Sequence, residues 1–207
     1  MRARLFAAAA LLCALPARGA NQSLGERVIA VLTPLDSVPV PAAIDQAFAP
    51  APAVDHLISI ALDASVDLGI QVRAIRALPA YCPAACANQP VHQALVGLVS
   101  TYTPAPDTQP SPGDTLRLIA AAEALGATHS GLAADFDQLW ALLDLPKPGG
   151  STTCAPGRDV RAVAARAIGE LCFHDAIDAI RTYIDDPCSQ VATQAGLAVQ
   201  ALEQCAR

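Results

Sequence analysis

Cysteine brings the most reactive side chains to this chain, and spacing limits what they can do. Seven are present: Cys13 near the start, then Cys82, Cys86, Cys154, Cys172, Cys188 and Cys205. The six that follow the N-terminal segment are an even number, which fits a disulfide framework in an oxidising compartment. Zinc is the competing use. Cys82, Cys86 and His92 offer thiolate and imidazole ligands, but no fourth ligand sits at a usual spacing, so no metal site is expected. In Cys82-Pro83-Ala84-Ala85-Cys86 the thiols are one residue further apart than in a thioredoxin-like redox pair, so a local structural bridge is expected there.

The histidines offer less. His56, His92 and His174 fall near predicted helix starts and His129 in a predicted turn, where imidazoles commonly cap or meet solvent. No nucleophile elbow, phosphate loop or zinc-protease helix is present. The expectation is therefore no catalytic residue, no cofactor and no enzyme. Binding is the other chemistry on offer. Asp137, Trp140, Asp178, Arg181 and Tyr183 fall on two neighbouring predicted helices, and Trp, Tyr and Arg are common interface anchors. Trp140 and Tyr183 could equally fill the core between those helices.

The N-terminus reads Met1-Arg2-Ala3-Arg4, an apolar run from Leu5 to Leu15, then Pro16-Ala17-Arg18-Gly19-Ala20. Charged, apolar and small residues in that order make a secretory signal peptide, with Ala17 placed for cleavage after Gly19. Cys13 follows Leu11-Leu12, whereas a lipidated cysteine follows a small residue, so lipidation is not expected. The apolar run is too short to span a bilayer, which takes about 20 residues, and no transmembrane helix is predicted. Loss of Arg2, Arg4 and Arg18 leaves 10 of the 13 bases against 19 acids. So acidic a chain is a poor ligand for nucleic acid or an anionic membrane, both of which need clustered cations.

The elements that must position these residues show up as internal similarity. Ala164-Ala165-Arg166-Ala167-Ile168-Gly169 matches Ala121-Ala122-Glu123-Ala124-Leu125-Gly126. Ala61-Leu62-Asp63, Leu142-Leu143-Asp144 and Tyr183-Ile184-Asp185 form a second set. Two kinds of helix therefore alternate. The alanine-rich A helices are predicted over 69–80, 113–127, 158–172 and 189–205, and the B helices over 53–63, 90–100, 133–144 and 174–185. Apolar residues recur in each at three- and four-residue steps. Gly113-Asp114, Arg158-Asp159 and Cys188-Ser189 offer capping side chains for A helices. Ser23-Leu24-Gly25-Glu26 is a capping box that starts one more helix. The alanines form a seam between A helices, with Arg161, Arg166 and Glu170 as an exposed ridge. Two connections, Thr103 to Pro112 and Pro146 to Gly157, carry about ten extra residues each and are rich in Pro, Gly, Ser and Thr.

Asp159-Val160-Arg161, Ala164-Ala165-Arg166-Ala167-Ile168-Gly169-Glu170-Leu171 and Asp185-Asp186-Pro187 together resemble a HEAT-like repeat of the bilin-lyase type. The resemblance covers 158–205 best, 53–81 less fully and the middle in fragments. It implies an all-α fold, a right-handed α-solenoid of HEAT-like helical hairpins. None of the histidines stands in the His-Glu arrangement of the iron-binding hydroxylases of that class, so the resemblance implies no metal. Segments follow: a signal peptide over 1–19, an N-terminal helical cap over 20–52 and the repeat domain over 53–207. Parallel stacking of A helices brings like ends together. That geometry pairs Cys154 with Cys188 and Cys172 with Cys205, leaving Cys82 for Cys86. The functional expectation is a periplasmic or secreted scaffold that binds a protein or envelope component through its B-helix face and the two inserted loops. The alternative is a structural spacer with no dedicated ligand.

Overall fold

The computed structural model describes residues 23–33, 39–82, 86, 89–105, 108, 110–145 and 160–205, and the regular elements among them are all helical. The signal segment, Cys154 and the connection 146–157 lie outside the described residues. Chain order gives α1 (Leu24–Leu32), α2 (Pro41–Phe48), α3 (Ala53–Leu62), α4 (Leu68–Ala77), α5 (Pro90–Tyr102), α6 (Pro112–Gly126), α7 (Ala133–Leu143), α8 (Val160–Glu170), α9 (Ile177–Arg181) and α10 (Ser189–Cys205). The B helices are α3, α5, α7 and α9, and the A helices α4, α6, α8 and α10. No described helix is long and apolar enough to cross a membrane.

Local chemistry sets the helix starts. Ser23 and Glu26 close the predicted capping box: the Ser23 Oγ accepts from the Glu26 N–H at 3.3 Å, and the Glu26 Oε2 accepts from the Ser23 N–H at 2.9 Å. Asp67 caps α4 by accepting from the N–H groups of Gly69 and Ile70. The cap of α6 is Ser111, followed by Pro112 at the first helical position. This corrects the expectation that Asp114 caps the helix. Asp114 sits three residues in, where its carboxylate accepts the Ser111 hydroxyl at 2.7 Å.

Two helices are shorter than predicted. Pro79 lacks an N–H, so α4 gives way to a 3₁₀ turn over Leu78–Tyr81. The predicted B helix over 174–185 is a 3₁₀ turn at His174–Ala176, five α-helical residues and then tight turns. The α-helix has ended at Arg181, and Pro187 further on disfavours helical backbone at Asp186.

Each A helix packs on the B helix before it, and the A helices pack on one another in chain order. The contact runs through small residues. Ala120, Ala121, Ala122, Ala164 and Ala165 are fully buried. The seam is tightest at two glycines. A methyl group added to Gly126 would stand 2.7 Å from the Ala167 Cα, and one added to Gly169 would stand 2.6 Å from the Ala198 Cα. Contacting carbons need about 3.5–4.0 Å, so only glycine fits. Larger side chains fill the other side of the layer: Leu57, Leu95, Leu139 and Leu143 on the B helices are fully buried.

Side chains also close the helix ends. The Gln71 amide on α4 donates to the Ala61 carbonyl at 2.9 Å, and the Arg161 Nε on α8 donates to the Leu143 carbonyl at 2.9 Å. In both cases an A helix satisfies a carbonyl at the end of the B helix before it, a group with no partner inside its own helix. Arg161 is therefore not on an exposed ridge. It is 6 % exposed, and its Nη2 meets the Asp186 Oδ2 at 2.6 Å. Arg166 does face solvent and pairs with Glu170. At the far end of α8, Cys172 adopts a left-handed φ of 59°. The turn after α6 covers that end: the Gly131 N–H donates to the Leu171 carbonyl at 2.9 Å, and the His129 Nδ1 lies 2.6 Å from the Glu170 carbonyl oxygen.

Cys82 is bonded to Cys86 and Cys172 to Cys205, with Cα separations of 5.3 and 5.5 Å. Cys188 is also disulfide-bonded. Ahead of the hairpins, α1 and α2 pack on each other and bring Val28, Leu32, Ile44 and Phe48 into the core. Phe48 stacks on His56 with ring centroids 5.1 Å apart.

Candidate partner-binding face

On α7, residues 136, 137, 140 and 144 recur at three- and four-residue steps and share one side of the helix. Phe136 and Trp140 are half-buried, whereas Asp137 and Asp144 are exposed. Trp140 lies between the two carboxylates along the helix. Phe136 touches Trp140 at 5.5 Å between centroids and Phe173 at 5.3 Å. Trp140 meets Tyr183 edge-on at 5.3 Å and 88°. Phe173, Phe136, Trp140 and Tyr183 thus form one continuous aromatic ladder from the end of α8 across α7 to the turn after α9. The Tyr183 hydroxyl donates to Asp144 at 3.1 Å. Burial raises the Tyr183 pKa above the ordinary phenol value, the bond to Asp144 adds to that, and Arg161 nearby opposes it.

Of the residues singled out from sequence, Trp140 and Tyr183 are therefore in contact, with Asp137 beside them on α7. Asp178 and Arg181 form a second group. Arg181 reaches Asp178 and Glu203 at 3.0 Å each, tying α9 to α10 across the solvent surface. Among the described residues no ring contact, hydrogen bond or ion pair joins this group to the aromatic ladder. Arg181 borders a shallow groove of about 450 Å³ with His174, Asp175, Ile177, Asp178 and Glu203. Another groove, of about 340 Å³, lies over α6, α8 and α10 between Glu123, Arg166 and Thr193. Of the two inserted connections, Thr103 is tied back to Val99 through its hydroxyl at 2.7 Å. Residues 106, 107 and 109 and all of 146–157 lie outside the described residues.

Two members of the ladder, Phe136 and Phe173, and Asp144 beside it are absent from the residues picked out by sequence. Phe136 and Asp144 stand four residues before and after Trp140, so helical spacing alone could have found them. Phe173 carries no such signal, because it follows the left-handed Cys172.

Among the described residues, one buried polar cluster looks catalytic in composition but is built differently. His92, at the start of α5, is 6 % exposed and Asp135, in the first turn of α7, is 1 % exposed. The His92 Nε2 lies 2.8 and 3.0 Å from the Asp135 oxygens, and the Ser130 hydroxyl donates to the same carboxylate at 2.5 Å. In a serine nucleophile the hydroxyl bonds to the imidazole, which the carboxylate orients. Here the carboxylate lies in the middle, so the serine hydroxyl meets the carboxylate and not the imidazole. The cluster joins two B helices. It also corrects the expectation that His92 caps a helix or meets solvent. With Cys82 bonded to Cys86 and His92 held by Asp135, these three side chains are not gathered as zinc ligands. No group of three or more metal-ligating side chains is assembled among the described residues. Compared with known proteins, the chain matches no family model, no curated protein and no solved structure.

Proposed function

We propose that this chain is an exported HEAT-like repeat scaffold that binds a protein or envelope component through its B-helix face. In this reading 1–19 is a signal peptide, 20–52 a helical cap and 53–207 a right-handed solenoid, and the mature protein works in the periplasm or is secreted. Alternating A and B helices, the glycine-tight A seam and the recurring A-side-chain closure of B-helix ends support the repeat reading. Bonded cysteines favour an oxidising compartment. The observation that carries the binding role is the ladder Phe173–Phe136–Trp140–Tyr183. Aromatic rings left half-buried in a row, edged by charges, have the make-up of an interface centre. The connections 103–112 and 146–157 would border that surface.

Recovery of partners from an envelope extract tests this. The wild-type chain should retain a partner that Trp140→Ala loses and Arg181→Ala weakens, with thermal melts showing both variants folded. Unchanged recovery with both variants would remove the B face as the binding surface. Export is read separately, by N-terminal sequencing of the mature protein, with Ala20 expected first.

A further inference from the structure

Resting on that reading of the α7–α9 face, we propose that its occupant is a cationic, extended polypeptide segment. Its Arg or Lys side chains would lie over Trp140 and pair with Asp137 and Asp144. The charge balance of the face argues for this. Across 133–144 and 174–185, the exposed charged side chains are Asp137, Asp144, Asp175, Asp178 and Asp185 against Arg181. Arg181 is already engaged by Asp178 and Glu203, and Arg161 by Asp186. Among the described residues Asp137 and Asp185 have no cation partner, and Asp144 is met by the Tyr183 hydroxyl.

An apolar partner covering Trp140 would strip water from these carboxylates without replacing it, and an anionic partner would be repelled. A cation answers both demands, because guanidinium or ammonium groups are drawn to the face of an indole and to carboxylates at once. Geometry supplies the spacing. Asp137 and Asp144 are seven helical residues apart, or about 10 Å along the axis. An extended chain advances about 3.1–3.3 Å per residue, so cations three residues apart match the two carboxylates.

The chain has a single tryptophan, so indole fluorescence reads this face alone. Two synthetic peptides serve as probes: repeats of Arg-Pro-Pro, which hold the extended form with a cation every third residue, and repeats of Gln-Pro-Pro at equal length. The arginine peptide should shift Trp140 emission saturably, and the glutamine peptide should not. Raising salt should weaken the arginine peptide. The double variant Asp137→Asn, Asp144→Asn keeps the side-chain shapes and should weaken it about tenfold. Equal shifts from both peptides would overturn the cationic occupant and leave the binding face standing. An arginine-peptide shift that the asparagine variant retains in full would overturn the assigned carboxylates. No shift from either peptide would overturn the proposal, while the recovery experiment with Trp140→Ala still decides the wider reading independently.

Discussion

Replacing Gly169 by alanine should destabilise the protein although it improves the local helix. In isolation a helical Gly→Ala change is favourable by about 1 kcal/mol. Here the new methyl would stand 2.6 Å from the Ala198 Cα and 2.9 Å from its Cβ. Normal carbon contacts lie near 3.5–4.0 Å, so α8 and α10 must separate by about 1 Å. The obstructing atoms include backbone, which no rotamer change moves aside. Overpacking of this kind costs about 1–3 kcal/mol and sometimes more; less the propensity gain, the net loss should reach about 2 kcal/mol. For a chain of this size that is a fall in Tm of up to about 8 °C. Gly196 is the control. It lies inside α10, and a methyl there meets nothing within 4 Å. Gly196→Ala should raise Tm by about 2–4 °C through helix propensity alone. Thermal denaturation followed by circular dichroism compares the two, with reversibility checked first. A Gly169→Ala variant as stable as Gly196→Ala would refute the close seam.

Arg161→Ala should cost about 3–5 kcal/mol, because it leaves Asp186 buried and the Leu143 carbonyl without its donor. Arg166→Ala, which removes an exposed pair with Glu170, should change chemical-denaturation midpoints little, by about 0.5 kcal/mol or less. Cys172→Ser with Cys205→Ser opens a loop of 33 residues and should lower stability by about 3.5 kcal/mol on the chain-entropy account, measured by urea titration against the wild type. Tyr81 carries a pKa raised by burial and by its bond to Asp45. Below the unfolded value of about 10 both states keep the proton; above it the unfolded chain ionises first, so stability falls as pH rises through the window above about 10. Tyr81→Phe should flatten part of that alkaline decline in a pH series of melts.

Periodicity carried most of the architecture into view. The A and B helices stand where alanine runs and apolar-Asp endings placed them, except where two ended early. Pro79 cut short a helix whose side-chain pattern continued past it, and the predicted helix over 174–185 gave way to tight turns after Arg181. The Ser23 capping box was legible because both partners sit within one turn. The pairing of Cys172 with Cys205 was legible because each marks the same end of an A helix. What escaped depends on contacts distant in sequence. Arg161 has the spacing of a surface residue, and only the approach of Leu143 and Asp186 buries it. His92 meets Asp135 across 43 residues, which no local pattern records. The candidate face shows the same division: Phe136 and Asp144 share helical spacing with Trp140, whereas Phe173 reaches the ladder through a backbone turn at Cys172.

The Cys172–Cys205 bond also bears on how the chain responds to tension. A scaffold held at one place and pulled at another extends by releasing its weakest helices. The 33 residue steps from one cysteine to the other cannot contribute to that release, which withholds about 110 Å of contour length from any stretch across them. The Cys82–Cys86 bond, spanning four residues, withholds little. In single-molecule pulling across both ends, α9 and α10 would add almost no length until reductant is present, and the first extension would come from helices before Cys172.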